Sequence, residues 1–376
     1  MGYLKNVWFH KAMTKNQPNK IILTIFSLQG GGAERFVLTL AEGFKTLGYD
    51  PHIICFKNQI DYPKPDVALH FLSYQSYRWM PKYIRNKVFA RVFDKYVKNN
   101  ITNTPALLIS NLWQVDQVLA YSKLPNKLFV IHNTLSKEKS IHTYLTNEAL
   151  QNVYSNQNIV AVSQGVKQDF EGIVKQISSL TAIHNPIDRE FILKSAKQLD
   201  ILHKLITQYP LLKQGYLIHV GKFKAQKNHM DLIKAYARSH QRKPLLLVGQ
   251  GELKQECENL CSELGVTDKV IFCGFEPNPY PLIVNADAMV LSSIYEGFGI
   301  VIAEALALGV PVISTDCESG PRELLPESNL VKVGDIESLS AKLNEISESP
   351  ESFSSSFDVG LLPDSVAQKY LQTLES

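Results

Sequence analysis

The sequence predicts an α/β protein made of two doubly wound units of parallel sheet that face each other across a cleft. Short apolar strands alternate with amphipathic helices, the pattern of parallel sheets with helices on both faces. With 376 residues the chain exceeds a single typical domain core. In addition, both halves open with the same order of strand, glycine and helix. Two domains of one architecture are therefore expected.

The first unit opens with an apolar run, at residues 21–26, that is followed by the three glycines Gly30, Gly31 and Gly32. A helix from about residue 34 to 47 comes next, closed by Gly48, and a second strand is predicted at 52–56. Glycines directly after a strand permit a close approach of backbone and ligand. Because ligands of doubly wound sheets bind at the carboxyl ends of the strands, this loop is a candidate binding element.

The second unit repeats this order. A strand is predicted at residues 216–220, followed by Gly221, a helix at 229–239, a strand at 245–248 and a helix from about 252. The turn residues of segment 185–188, Asn-Pro-Ile-Asp, mark the join between the units. We therefore predict a first domain at 1–188 with an N-terminal extension at 1–19. A second domain is predicted at 189–360, followed by a terminal helix at 361–376.

Two glutamates bracket a glycine turn in the second unit. Glu296 precedes Gly297, Phe298 and Gly299, and Glu304 lies in the second turn of the helix predicted at 300–308. Free backbone N–H groups at a helix start attract phosphate, and two acceptor-only carboxylates beside them suit hydroxyl groups. The pattern favours a polyol phosphate such as a nucleotide sugar. An ordinary strand–helix turn with solvated acids remains the alternative.

Charge is distributed unequally. Residues 1–190 carry a formal charge of +9 and the remainder −6, within a chain of net charge +3. Seven of the cations lie in the segment that begins at Tyr77 and ends at Asn100, which also repeats apolar residues at helical spacing. A basic amphipathic helix of this kind is typical of segments that lie on an anionic membrane surface. Alternatively its apolar face packs on the sheet of its own domain. Nucleic acid is not expected, because stacking platforms and known motifs are missing.

Composition and segment lengths exclude several classes of protein. The chain is 45% hydrophobic and 20% charged, which is ordinary for a globular protein. Its apolar stretches are too short or too interrupted to span a bilayer, and residues 1–19 lack the apolar core of a signal peptide. The five cysteines form no disulfide framework. A soluble protein of a reducing cytoplasm is expected.

Four motifs in this order resemble those of the family 4 glycosyltransferases, which are retaining enzymes of the GT-B fold with two Rossmann-like domains. They are the glycine loop 30–34, the turn 185–188, the run from Gly221 to Asn228 and the glutamate pair. The resemblance covers about residues 21–330. It implies that the domain 1–188 binds the acceptor, that the domain 189–360 binds the nucleotide sugar, and that the terminal helix 361–376 crosses back to the first domain. Segment 316–324, Asp-Cys-Glu-Ser-Gly-Pro-Arg-Glu-Leu, is similar to one in bacterial transferases that build lipopolysaccharide, capsule or glycoprotein glycans.

The resemblance assigns the donor site. It implies that Glu304 accepts hydrogen bonds from the ribose and that Glu296 accepts them from the donated sugar. Lys222 and Lys227 would neutralise the diphosphate, although the family more often has Arg at position 222. Residues that would line the rest of the donor site are Gly31, Gly32, Phe275, Gly297, Phe298 and Gly299. Phe275 is expected beside the base, and the two glycines of the first domain beside the diphosphate.

His132 ends an apolar strand and matches a histidine that retaining members place beside the reacting sugar. With Glu296 and Lys227 it forms the predicted catalytic set. No cofactor or metal is expected, since no Asp-x-Asp motif occurs and cations can compensate the leaving group.

The prediction is a retaining hexosyltransferase that moves a hexose or N-acetylhexosamine from a nucleotide sugar, most simply a UDP-sugar, to a glycan or lipid-linked acceptor. It would act in the bacterial cytoplasm, peripheral to the inner face of the membrane. Two alternatives stay open: a sugar-nucleotide epimerase of the same fold, and a non-catalytic lipid- or nucleotide-binding partner of a transferase.

Overall fold

The structure is a computed structural model that describes residues 19–61 and 65–374. The predicted extension at residues 1–19 lies outside this part of the chain except for Asn19, and so do the last two residues of the predicted terminal helix. Within the described residues the chain forms two parallel sheets, each covered by helices. The predicted α/β class with two doubly wound units is confirmed.

The first sheet has seven strands in the order β3-β2-β1-β4-β5-β6-β7, and the second has six in the order β10-β9-β8-β11-β12-β13, as counted in the described residues. The strands are β1 Lys20–Ile25, β2 Asp50–Cys55, β3 Ala68–Phe71, β4 Leu107–Asn111, β5 Lys127–Ile131, β6 Asn158–Ala161, β7 Ser179–Ala182, β8 Leu217–Val220, β9 Leu245–Val248, β10 Val270–Gly274, β11 Ala288–Leu291, β12 Val312–Asp316 and β13 Leu330–Lys332. Every strand pair within the two sheets is parallel.

Helices connect the strands and cover both faces. They are α1 Gly32–Thr46, α2 Lys82–Asn100, α3 Trp113–Leu119, α4 Leu135–Ile141, α5 Asn147–Tyr154, α6 Gln164–Ile173, α7 Arg189–Ser195, α8 Asp200–Gln208, α9 His229–Arg238, α10 Lys254–Glu263, α11 Tyr280–Val284, α12 Ile300–Ala307, α13 Pro321–Leu324, α14 Ile336–Glu348 and α15 Pro363–Gln372. Short 3-10 turns occur at Tyr74–Tyr77, Pro210–Gln214, Ala225–Lys227, Glu327–Asn329, Pro350–Phe353 and Val359–Leu361. In the part of the chain described, no helix combines the length and the apolar character that a bilayer crossing requires.

The central strands are buried on both faces, which is why they read as continuous apolar runs. All four residues of β9 and all four of β11 are buried. Strands enclosed by helices on both sides gain about 25 cal/mol for each Å² of apolar surface removed from water. The same burial makes these runs easy to recognise in the sequence.

The link between the sheets runs from the end of β7 into α7. Asp188 caps α7, because its Oδ1 accepts a hydrogen bond from the backbone N–H of Phe191 at 2.9 Å. Helices α7 and α8 then pack against α11, and α7 also contacts α12 of the second sheet. The chain thus changes from one unit to the other close to segment 185–188.

The last helix returns to the first domain. Helix α15 packs along α1, and the contact is close enough that a Cβ at Gly43 would lie 2.1 Å from the Pro363 carbonyl oxygen. A side chain at position 43 would therefore push the two helices apart. This contact ties the C-terminus to the first sheet.

The amphipathic helix predicted from residue 77 begins later, at Lys82. Pro81 stands directly before it, and a proline disfavours the helical conformation for the residue before it, here Met80. The inner face of α2 contributes Phe89, Phe93 and Val97 to the core of the first domain. The alternative prediction, that the apolar face of this helix packs within its own domain, is thus correct for these three side chains. Trp79 and Tyr83, at the start of the segment, are 77% and 64% exposed.

Candidate active site

Both sheets have a topological switch point beside their first strand. The order of strands reverses between β1 and β4 in the first sheet and between β8 and β11 in the second. A crevice opens at such a point, because the connections on its two sides lead to opposite faces of the sheet. The predicted donor residues follow these strands: Lys222 and Lys227 come after β8, and the glutamate pair comes after β11.

All eleven predicted site residues line one cleft of about 1480 Å³ between the two domains. They are Gly31, Gly32, His132, Lys222, Lys227, Phe275, Glu296, Gly297, Phe298, Gly299 and Glu304. The structure therefore brings together side chains that lie up to 273 positions apart in the chain. Phe275 is 53% exposed at the rim, whereas Phe298 is buried. An exposed aromatic ring at a cleft is suited to stacking on a planar base.

Glu296 and Lys227 form an ion pair on the floor of the cleft. Lys227 Nζ lies 2.5 Å from Glu296 Oε1, and the Ser293 hydroxyl donates to the same oxygen at 2.5 Å. Glu296 is only 6% exposed. Because a buried carboxylate is costly unless it is paired, the lysine and the serine supply the partners that the burial of Glu296 demands, and they fix its orientation.

The loop that carries Lys227 is fixed by its own hydrogen bonds. The Ser292 hydroxyl donates to the Lys227 carbonyl at 2.8 Å, and the Gln226 amide donates to the Tyr295 carbonyl at 2.9 Å. Asn228 adopts a left-handed conformation with φ of 49°, which ends the 3-10 turn and allows α9 to begin. The amine of Lys227 is thus positioned by the loop that follows β11 as well as by the loop that carries the lysine itself.

Glu304 is buried and bound from both domains. The Tyr280 hydroxyl donates to Oε1 at 3.0 Å, and Arg35 from α1 forms an ion pair with the same carboxylate across the cleft. Glu304 is 3% exposed. Sequence reasoning missed Arg35. One signal was present, because a cation in the first turn of a helix is unfavourable to the helix dipole and calls for another partner.

Gly297 lies directly against the backbone of the first domain. A Cβ at this position would lie 1.9 Å from the His132 carbonyl oxygen. The Gly297 carbonyl accepts a hydrogen bond from the buried Ser163 hydroxyl at 2.6 Å. Glycine is required here by the contact between the domains.

His132 is held in one tautomer by a chain of two hydrogen bonds. The Asn111 side-chain N–H donates to the Thr24 carbonyl at 3.1 Å, so its amide oxygen faces the ring. That oxygen lies 2.9 Å from His132 Nε2, which must therefore carry the proton. Burial lowers the pKa of His132 to about 3. The ring is thus a neutral group whose Nδ1 is an acceptor.

A second set of bonds between the domains was not predicted from the sequence. Glu323 of α13 accepts from the backbone N–H groups of Gln164 and Gly165 at 2.8 and 3.1 Å, and it lies 2.7 Å from His184 Nε2. A carboxylate at the first N–H groups of α6 is favoured by the helix dipole. Glu323 belongs to segment 316–324. The similarity of this segment to one in bacterial transferases indicated a function but gave no contact partner for Glu323.

Among residues 19–61 and 65–374, no three His, Cys, Asp or Glu side chains are grouped as they would be to hold a metal ion. The charges around the cleft come instead from side chains of both domains. Burial raises the pKa of Glu34 of α1 above its usual range, and the nearby Asp61 adds to this rise. Lys222 acts in the opposite direction, because its positive charge favours the ionised form of Glu34.

Two families match the chain, one for each domain. The family described as "Glycosyltransferase Family 4" matches residues 30–191, and the one described as "Glycosyl transferases group 1" matches residues 204–355. The two matched segments follow the same order along the chain as the two sheets. The chain belongs to the family 4 glycosyltransferases.

Relatives of this glycosyltransferase include a Campylobacter jejuni protein that is 29% identical over 317 residues, or 81% of this chain and 83% of that protein. It is named N-acetylgalactosamine-N,N'-diacetylbacillosaminyl-diphospho-undecaprenol 4-alpha-N-acetylgalactosaminyltransferase. The lipopolysaccharide 1,6-galactosyltransferase of Salmonella typhimurium is 28% identical over 196 residues, which cover 50% of this chain and 51% of that enzyme.

Solved structures share the fold of this glycosyltransferase. The lipopolysaccharide outer core galactosyltransferase WaaB superposes with a TM-score of 0.67 at 20% identity, over 95% of this chain and 99% of that one. Anabaena HepE, crystallised with UDP and glucose, superposes with a TM-score of 0.67 at 19% identity, over 94% of each chain. These similarities confirm the predicted GT-B arrangement of two domains.

Proposed function

We propose that this glycosyltransferase moves a hexose or N-acetylhexosamine from a UDP-sugar to a glycan or lipid-linked acceptor during assembly of a bacterial surface glycan. The observation that carries the donor half of the proposal is the joint position of Lys227, Glu296 and Glu304 at the switch point of the second sheet. The names of the relatives from C. jejuni and S. typhimurium support the acceptor half. The UDP complex of HepE supports the choice of base.

The donor would be held by complementary charge. Lys227 faces the diphosphate together with the free N–H groups at the start of α12, while Glu304 accepts from the ribose hydroxyls. Glu296 accepts from hydroxyls of the transferred sugar. Lys222, exposed in the cleft, adds a second cation beside the diphosphate. No divalent ion is needed in this arrangement, because cations and backbone dipoles compensate the charge of the leaving group.

We infer that transfer retains the anomeric configuration. The acceptor oxygen forms its bond to the anomeric carbon on the face from which the diphosphate leaves, the bond from that carbon to the phosphate oxygen breaks, and this phosphate oxygen takes the proton of the acceptor hydroxyl. His132 does not exchange a proton in this step, because its neutral form persists at physiological pH. Its Nδ1 accepts a hydrogen bond from a hydroxyl of the donated sugar and so orients the ring.

A peripheral contact with an anionic membrane would present a lipid-linked acceptor to the first domain. Trp79, Tyr83 and Ile84 are exposed at the start of α2, and Lys87, Arg91, Lys95 and Lys98 are exposed along it. Aromatic side chains near the headgroups and cations beside anionic lipid are the usual components of such a contact. The inner face of the helix remains in the core, so the contact needs no unfolding.

The proposal is tested by incubating the purified protein with UDP-sugars in excess EDTA and measuring release of UDP, with and without glycan acceptors. Release that persists in EDTA, together with a product of retained configuration by NMR, supports the account. A requirement for divalent metal would contradict the metal-independent mechanism. Epimerised donor without UDP release would identify an epimerase, and binding without turnover of any donor would identify a non-catalytic partner.

A further inference from the structure

A smaller concavity lies on the first domain beside the cleft. It encloses about 190 Å³ between the 3-10 turn Tyr74–Tyr77, the start of α2 and the helix α3. Three cations line it, Arg78, Lys82 and Arg85, together with Tyr74, Gln114 and Gln117. We call it the basic pocket. None of the eleven predicted donor-site residues lines it.

The basic pocket concentrates positive charge without a compensating acid. Within the part of the chain that the structure describes, none of its three cations forms an ion pair, whereas Arg35, Arg238, Arg242 and Arg322 each pair with a carboxylate. Burial and the nearby charge of Arg85 lower the pKa of Lys82. Like charges held this close repel one another, so an anion entering between them would gain from all three.

One of the cations offers a buried donor that has no partner. Arg85 Nε is inaccessible to solvent and makes no hydrogen bond. Its guanidinium is held 5.2 Å above the ring of Tyr74, whose hydroxyl donates to Asn86 Oδ1 at 2.5 Å. A guanidinium that is already held in place over the ring loses little freedom when an anion binds to it.

The basic pocket is continuous with both the cleft and the exposed start of α2. Gln114 lines the pocket and the cleft alike. Lys82 Nζ lies 5.9 Å from the centroid of the ring of Tyr144, and Tyr144 also lines the cleft. Trp79 and Tyr83, the exposed aromatic residues of the proposed membrane contact, flank Lys82 in the sequence. A molecule that extends from a membrane into the cleft would pass the three cations.

We propose that the basic pocket binds the diphosphate of a polyprenyl-diphosphate-linked acceptor, so that the lipid chain leaves toward the membrane and the sugar enters the cleft. This inference rests on the proposed function and names the class of its acceptor. A diphosphate diester carries two negative charges, against one for the phosphodiester of a phospholipid, and so matches a site of three cations more closely. Arginine is the side chain best suited to phosphate oxygens, and two of the three cations are arginines.

The test compares two triple variants that remove the same charge. The first, R78Q/K82Q/R85Q, empties the basic pocket of cations. The second, K87Q/R91Q/K95Q, removes three exposed cations from the same helix outside it. Affinity for farnesyl diphosphate and for inorganic pyrophosphate is measured by titration calorimetry. We expect the first variant to bind farnesyl diphosphate on the order of tenfold more weakly or worse, and the second to bind it as the wild type does.

Two further measurements separate the alternatives. Both variants should bind more weakly than the wild type to vesicles that contain phosphatidylglycerol, and to a similar extent, because attraction to the surface depends on total charge. Vesicle binding lost in the first variant alone, with equal farnesyl diphosphate binding in all proteins, would show a phospholipid headgroup site and overturn the proposal. Wild type that fails to bind farnesyl diphosphate would overturn it too.

UDP affinity distinguishes failure of this inference from failure of the proposed function. All three proteins should bind UDP equally, which also reports that they are folded. If the wild type binds farnesyl diphosphate but no nucleotide, the proposed function fails while the pocket stands. The single substitution R78Q, at an exposed position, repeats the comparison with the least risk to folding.

Discussion

Arg35 of the first domain and Glu304 of the second form an ion pair across the cleft. The pair joins the helix after the glycine loop to the helix after the glutamate turn. Because Glu304 is also the residue expected to receive the ribose, contact between the domains and binding of the nucleotide involve the same carboxylate. Closure of the cleft and occupancy of the donor site are therefore linked in one side chain.

Replacing Glu304 by glutamine should weaken nucleotide binding. The change keeps the shape of the side chain but removes the charge that accepts from Tyr280, from Arg35 and, in our account, from the ribose. A hydrogen bond to a charged group contributes about 1.5–3 kcal/mol, so the dissociation constant for UDP should rise roughly 10- to 150-fold. Titration calorimetry measures it. E337Q, which removes an exposed paired acid elsewhere, should leave it unchanged.

Substituting alanine at Gly297 should prevent the domains from meeting. The new methyl group would lie 1.9 Å from the His132 carbonyl oxygen, and overpacking of this kind costs about 1–3 kcal/mol. We expect slower transfer and a larger radius of gyration in small-angle scattering, with each domain still folded. G172A is the matched control, since a Cβ there meets no atom within 4 Å. Equal scattering and equal turnover in G297A would show that the contact is not needed.

The bond between Glu323 and the first domain should weaken in acid. Burial alone would raise the pKa of Glu323, but hydrogen bonds from His184, Gln164 and Gly165 outweigh it and hold the pKa below its ordinary value of 4.5. A lowered pKa in the folded state means that this stabilisation is complete above pH 4.5 and disappears as the pH falls through the lowered value.

Thermal unfolding of wild type and E323Q checks this dependence. The difference between their midpoints should be present at about pH 7 and should shrink toward zero well below pH 4.5, where Glu323 becomes protonated. E327Q, a change at an exposed neighbour, should show no such difference at either pH. A gap between wild type and E323Q that is the same at both pH values would show that the carboxylate charge is irrelevant.

His132 should contribute to catalysis without titrating in the working range. Its pKa of about 3 leaves it neutral between about pH 5 and 9. H132A should therefore lower kcat/KM, because the sugar loses an orienting acceptor, while the shape of the pH profile stays that of the wild type. A limb near pH 6.5 that is present in the wild type and missing from H132A would identify His132 as a proton donor or acceptor instead.

The fold could be predicted because its strands are fully buried. Residues 245–248 were predicted as a strand from their apolar run alone, and the structure has the same bounds. The convergence of the predicted site residues on one cleft was predictable for a related reason. A parallel sheet places the ends of its strands at one edge, so glycines and charges that follow apolar runs must converge there.

The contacts between the domains were not predictable in this way. Arg35 and Glu304 lie 269 positions apart, and Gln164 and Glu323 lie 159 apart. Arg35, Gln164 and Glu323 look like ordinary solvated polar residues in their local sequence, and nothing near Glu304 in the sequence indicates Arg35 as its partner. The relative orientation of two domains leaves no periodic pattern. The basic pocket had a partial signal, since its cations lie in the segment predicted for the membrane. The 3-10 turn and α3 that complete it are distant in sequence.

The central claim is that Lys227, Glu296 and Glu304 bind a nucleotide sugar without a divalent ion. A thermal-shift panel of UDP-, GDP- and ADP-sugars in excess EDTA tests it most directly, with K227Q beside the wild type. At a hundredfold excess over its dissociation constant a bound donor should stabilise the wild type by about 2.7 kcal/mol, and K227Q clearly less. If no nucleotide sugar raises the midpoint of the wild type, the account is contradicted.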